Sequence, residues 1–239
     1  MLGARATPNE RTNVRRIIGN INGCEIVEED DKTVTFTAGA AIDGDGANGQ
    51  FGGPPCYAPD SYHGKILDVI ANAGSPGNWF GVVTDTGKRD GTPIIQGARD
   101  PCPGAYVSAT SLHLPGKDGK ALPNSSPFKY VDSATVPFVV VPPMIIRGVT
   151  GVVMGCRALV TNTRNGKSVD AVIADTGPSD KLGEISLACA KAIGVPSGEG
   201  TTHPADSGGV VEHIIQYRLF PGVVAVVEGV TYPLQHRSS

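Results

Sequence analysis

No run in this sequence approaches the roughly 18 apolar residues that a membrane-spanning helix needs, so the chain is not expected to cross a bilayer as a helix. It has no basic stripe and no Lys/Arg block, and its net charge is only -3 with both signs interspersed. Nucleic acid is therefore not an expected partner. None of the five cysteines (Cys24, Cys56, Cys102, Cys156, Cys189) forms a CxxC, and no His lies at ligand spacing from them. That disfavours a zinc site. An odd count leaves at least one thiol free or intermolecular, and Cys156 and Cys189 sit in apolar segments where a buried thiol is expected. No Gly-x-Ser-x-Gly elbow occurs, and His113, His203 and His213 fit no triad, which argues against serine-hydrolase chemistry. The first residues, MLGARATPNERTNVRRIIGNINGCE, contain no apolar core of a signal peptide. An EF-hand loop starting at Asp43 would need Glu at its twelfth position, where Pro54 stands. No metal and no cofactor is expected.

What the chain does have is glycine (32) and proline (19), a composition suited to many short strands and tight turns. Residues 11–18 read as a short helix or part of a mobile arm. CEIVEEDDKTVTFTA (24–38) reads as a β-hairpin with EEDDK at its turn. GNWFGVVTD (77–85), TPIIQ (92–96) and GAYVSATSL (104–112) read as short strands, and FVVVP (138–142) as a central one. GVVMGCRALVTN (151–162) and SVDAVIAD (168–175) follow, joined through Asn165-Gly166, a strong hairpin signal. ISLACAKAIG (185–194) is the one convincing helix, with Ser186 as N-cap and Gly194 as stop. VVEHIIQYRLF (210–220) and GVVAVVEG (222–229) read as two further strands. The expected architecture is mainly β: a barrel with one short buried helix. Residues 1–55 are read as an N-terminal extension carrying the hairpin, and 56–239 as the catalytic domain.

The stretch IADTGPSDKLGEIS (173–186) delivers Asp175 at a strand end, reverses at Gly177-Pro178, and presents Glu184 before the helix. Alternation along SVDAVIAD continues one face of the strand to Asp175. Two carboxyl groups across one turn suit general acid/base work on a glycosidic bond. They equally suit a turn residue and a helix-start residue, and spacing alone does not choose.

The surrounding letters add a resemblance. D-x-G-P, a gap, an acidic residue, Ile-Ser and an Ala-rich helix ending in Gly looks like the signature turn of double-psi β-barrels. Over roughly residues 66–235 the chain resembles the chitosanases of glycoside hydrolase family 75. The segments that carry it are 71–85, 100–112, 130–142, 155–186 and 220–234. The resemblance implies a six-stranded double-psi barrel with added peripheral strands, and Asp175 and Glu184 as the catalytic pair. It also implies endo-hydrolysis of a cationic β-1,4-linked amino-sugar polysaccharide with inversion, by an extracellular monomer. Cys102 departs from the pattern, standing in a DPxPG turn where a small residue is expected.

Glu184, flanked by Gly183 and Ile185 close to the core, is assigned the general acid, and Asp175 the base. A helix N-terminus near Glu184 would oppose that order. Substrate-binding candidates are Trp79, Tyr106, Asp85 and Asp43. Trp79 has core packing as its plain alternative, and Asp85 the start of a turn. The N-terminal hairpin is expected to pack outside the barrel or to wall the substrate groove through Asp43 and Asp45. Two other functions remain open: a peptidoglycan-cleaving hydrolase or lytic transglycosylase on the same barrel, and a non-catalytic carbohydrate-binding barrel.

Overall fold

The computed structural model describes residues 15–49, 74–148, 150–198 and 208–235, together with two short strands at 61–62 and 65–66. His203 and Cys56 lie outside the described residues. The chain begins with β1 (Arg16–Ile21), β2 (Cys24–Glu28) and β3 (Val34–Asp43), then the two-residue strands β4 (Ser61–Tyr62), β5 (Lys65–Ile66), β6 (Gly74–Ser75) and β7 (Asn78–Trp79). A 3-10 turn (Pro127–Lys129) precedes β8 (Phe138–Val141) and helix α1 (Pro143–Arg147). Next come β9 (Cys156–Asn162), β10 (Ser168–Thr176), β11 (Glu184–Ser186), helix α2 (Leu187–Ile193), β12 (Val210–Val227) and β13 (Val230–Tyr232).

Nine of these strands form one sheet in the order β1-β2-β3-β11-β8-β10-β9-β12-β13, and an additional pairing of β3 with β12 closes it. The result is the expected six-stranded barrel, β3-β11-β8-β10-β9-β12, with β1, β2 and β13 outside the ring. Two neighbour pairs, β3–β11 and β8–β10, are parallel, so the chain must cross over to make them. Closure leaves no open edge in the ring itself.

Local sequence explains most elements. Val34, Phe36, Ala38, Ala40 and Ile42 alternate along β3 and are all buried. Phe36 stands opposite Tyr217 of β12, and their rings stack at 4.7 Å. Phe138–Val141 is buried at every position because β8 lies between β10 and β11 and is covered on both faces. Ser186 caps α2 by accepting the Cys189 N–H, and Gly194 ends it in the left-handed region at φ 70°. Leu187, Cys189, Ala190 and Ile193 form the helix's buried face.

Several expectations change. Residues 16–18, read as part of a short helix or arm, are instead the start of a strand, because Arg16 through Ile21 pair antiparallel with β2. The hairpin at 24–38 is present as β2–β3, and β3 is a barrel strand paired on both sides, so residues 34–43 belong to the ring. The two strands read at 210–220 and 222–229 are one 18-residue strand, β12. Its Pro221-Gly222 punctuation makes a register shift between Phe220 and Val224 rather than a break, a position where a strand tolerates Pro. The 77–112 region is a meander of isolated bridges (Val82 with Ser108, Thr84 with Pro93, Ile95 with Tyr106) around a small core of Val83, Val107 and Tyr130.

Ser186 does more than cap. Its hydroxyl donates to the Val136 carbonyl (2.8 Å) and accepts the N–H of Phe138 (2.9 Å) as well as that of Cys189 (3.1 Å). One fully buried side chain thus ties β11, α2 and the entry to β8. Ser186→Ala is expected to lower stability by roughly 2–4 kcal/mol, because buried backbone groups lose their partner. Denaturant midpoints would show it; a loss under about 0.5 kcal/mol would mean that water replaces the hydroxyl.

Candidate functional site

Strand register builds the site. Asp175 on β10 and Glu184 on β11 stand opposite the same residue, Val140 of β8. Directly opposed residues share a face of the sheet, so both carboxyl groups leave on the side of Val140. Their Cα atoms are two strand spacings apart, about 9–10 Å. On the far side of β11, Asp43 at the end of β3 stands opposite Ser186. One carboxylate oxygen each from Asp43, Asp45 and Asp175 lies within 4.8 Å of the others. Among the described residues these three are the group spaced to surround a cation. That spacing also suits carboxyl groups that share protons.

A register shift in β10 between Ile173 and Asp175 marks a bulge. Bulges re-aim side chains. The carbonyl of Ala174, inside it, accepts the Leu112 N–H at 2.8 Å. That bond docks residues 110–112 beside β10 and brings Ser111 to Asp175. The Ser111 hydroxyl donates to Asp175 Oδ1 at 2.6 Å and the Ser111 N–H at 3.1 Å, while the Thr176 N–H reaches the same oxygen at 2.7 Å. Oδ2 takes part in none of these bonds. Asp43 Oδ1 accepts the Asp45 N–H at 2.8 Å.

Glu184 meets a cation instead. Lys181 Nζ lies 3.0 Å from its Oε1. The loop that carries Lys181 is pinned where Asn22 donates to the Asp180 carbonyl at 2.7 Å. Gly177 faces the same carboxylate: a Cβ there would stand 2.9 Å from Glu184 Oε2 and 3.1 Å from Val140 Cγ1. The Gly-Pro turn therefore leaves room over the Glu184 carboxylate that any other residue would fill.

Burial sets the electrostatics. Asp175 is 7% exposed and Asp43 9%. Burial pushes Asp175 up to about 6; the Ser111 and Thr176 bonds oppose this, and the charge of Glu184 adds to it. Asp43 is raised well above the usual carboxylate range, first by burial and then by Asp175 and Glu184, against the Asp45 N–H and Lys181.

Of the sequence candidates, Asp175, Glu184 and Asp43 come together, and Asp45 joins them. Asp85 does not. Its Oδ1 accepts the Thr92 N–H at 2.8 Å and closes the 85–92 turn. Trp79 (5% exposed) and Tyr106 (6%) pack against each other edge to face at 5.6 Å. Ser111 was not singled out from sequence; only its place in a strand-like segment, GAYVSATSL, was visible. A cavity of about 570 Å³ lies beside this site, between β3, the 181–183 loop and residues 208–213 at the start of β12, and holds a Cys24–His213 contact at 3.7 Å. The acidic cluster does not line it. No protein-family model matches the chain, and a search of curated proteins returns no match.

Ser111→Ala removes a donor that favours the charged form of Asp175. Its titration midpoint should move up from about 6 by about one unit, the scale of a hydrogen bond to a charged group. Carboxyl ¹³C shifts followed over pH would read it; an unmoved midpoint would mean that the hydroxyl bond is not made in solution.

Proposed function

We propose that the protein is an inverting, endo-acting glycoside hydrolase that cleaves β-1,4 linkages in chitosan or a closely related amino-sugar polymer. The observation that carries the proposal is the placement of Asp175 and Glu184 on either side of Val140, one carboxyl buried and raised to about 6, the other paired with a lysine. The substrate class comes from the resemblance to family 75 chitosanases. Asp43 and Asp45 lie beside Asp175 and add carboxyl groups that can hydrogen-bond an amino sugar. A disulfide at Cys102 fits an exported enzyme and accounts for a cysteine in the DPxPG turn.

The environments favour the opposite order of roles to the one read from sequence. Asp175 is the neutral acid and protonates the glycosidic oxygen as the C–O bond breaks. Glu184 is the carboxylate. It takes a proton from the water that attacks the anomeric carbon from the other side, and inversion follows. The strand spacing is compatible with the separation of about 6.5–9.5 Å that admits such a water.

Incubation with chitosan, chitin and peptidoglycan in parallel, with products followed by mass spectrometry and ¹H NMR, tests the reading. Chitosan oligomers released as the α-anomer are expected. Anhydro-sugar ends from peptidoglycan alone would instead make the protein a lytic transglycosylase, and no product from any polymer would leave a binding barrel. Glu184→Gln and Asp175→Asn should each lower kcat by about 10²–10⁴ with little change in melting temperature. Retained turnover in either variant removes that residue from the chemistry.

The pH dependence has a definite sign. Asp175 acts in its protonated form, so kcat/KM should fall as pH rises through about 6. A flat profile from pH 5 to 8 would exclude Asp175 as the acid.

A further inference from the structure

Two carboxyl groups suffice for the proposed reaction, yet the barrel brings a third, Asp43, to the same place. It comes from a different part of the chain, over 130 residues before Asp175. Its position is fixed by backbone pairing: β3 runs parallel to β11, with Ala41, Ile42 and Asp43 opposite Glu184, Ile185 and Ser186. Asp43 is buried and no cation is paired with it at salt-bridge distance among the described residues. Among the described residues the ionisable groups around it are Asp45 in the following loop, Asp175 on β10, Glu184 on β11 and Lys181 before β11. Lys181 is paired with Glu184. With Glu184 nearby, its lysine already paired, and a single N–H donor from Asp45, a buried carboxylate at Asp43 has no cation of its own among the described residues, so the neutral acid is the form this position holds.

Asp175 supplies the complement. Its Oδ1 is occupied by the Ser111 hydroxyl, the Ser111 N–H and the Thr176 N–H. Its Oδ2 receives none of these donors. We infer that Asp43 is a positioning residue that keeps a proton and presents it toward Asp175, so that the carboxylate left on Asp175 after proton transfer is stabilised by a neighbouring carboxylic acid. This rests on Asp175 being the general acid of the proposed reaction. The step balances: the Asp175 proton goes to the leaving oxygen, the Asp43 proton stays on Asp43 as a hydrogen-bond donor, and Glu184 takes the proton of the attacking water. Asp175 is reprotonated from solvent or from Glu184 before the next turnover.

The test uses two variants and two readouts. Asp43→Asn keeps a neutral donor; Asp43→Leu keeps approximate size and removes the donor. In the full chain labelled with ¹³C at the Asp carboxyl carbons, Asp175 should titrate within about half a unit of wild type in Asp43→Asn and about one unit higher in Asp43→Leu. A downward move of a unit or more in Asp43→Asn would show that a negative charge had been removed, and would overturn the inference. So would an unmoved midpoint in Asp43→Leu. These titrations need no substrate and stand even if chitosan is not cleaved. With chitosan, Asp43→Asn should keep at least a tenth of wild-type kcat, and Asp43→Leu should lose about 10²-fold with little change in KM. Equal kcat for the two variants would overturn the donor role while leaving Asp175 and Glu184 in place.

Discussion

The barrel closes through three residues. β11 (Glu184–Ser186) is the only strand between β3 and β8 in the ring, parallel to one and antiparallel to the other. So short a strand has little hydrogen-bonding length, and its hold comes from its ends. Gly183, just before it, adopts φ +78° and lies so close to Gly39 that a Cβ would strike the Gly39 carbonyl. Its own carbonyl accepts the Ala41 N–H at 2.7 Å. At the other end the Ser186 hydroxyl joins α2 to the entry of β8. Between these fixed points Glu184 has no freedom to shift register, and a one-residue slip would turn its side chain to the other face.

That closure concentrates acidic groups at one end of the barrel, and their mutual repulsion shapes what each can be. Buried like charges cannot all ionise. The structure distributes the compensation unevenly: three donors to one oxygen of Asp175, a lysine to Glu184, one N–H to Asp43. Unequal surroundings are what separate otherwise similar carboxyl groups into acid and base, the condition that the proposed hydrolysis needs. In the proposed reaction the same unevenness favours Asp175 as acid and Glu184 as base, the opposite of the order read from sequence position. Proximity to a helix and core made Glu184 look buried, but Lys181, three residues earlier, cannot be recognised as its partner until the loop is folded.

Local chemistry made much of this visible beforehand. The Asn165-Gly166 turn, the Ser186 cap, the Gly194 stop and the Asp-x-Gly-Pro turn all act within a few residues, and each is in place. The closed six-stranded ring was likewise expected. What sequence could not show depends on pairings between distant segments. Nothing within residues 34–43 says that its free edge will accept β11 from 143 positions later. Nothing in GAYVSATSL marks Ser111 over Ser108; the difference arises from the β10 bulge, whose Ala174 carbonyl captures Leu112. Pro221-Gly222 is a turn signal by composition, and only the partners on both sides of β12 make it a bulge.

The functional geometry therefore follows from register more than from side-chain choice. Val140 is an unremarkable valine in an apolar run, yet it is the spacer that sets the distance between Asp175 and Glu184. A strand inserted between two carboxyl groups holds their backbones apart by a length that thermal motion hardly alters, since β8 is paired with β10 on one side and, at Val139 and Val140, with β11 on the other. A pair placed on flexible loops would vary by several ångströms. Water must fit between acid and base in an inverting reaction, so the tolerance is narrow. In the proposed reaction a closed ring with an apolar spacer strand would set that separation without any residue being dedicated to holding the two carboxyl groups apart.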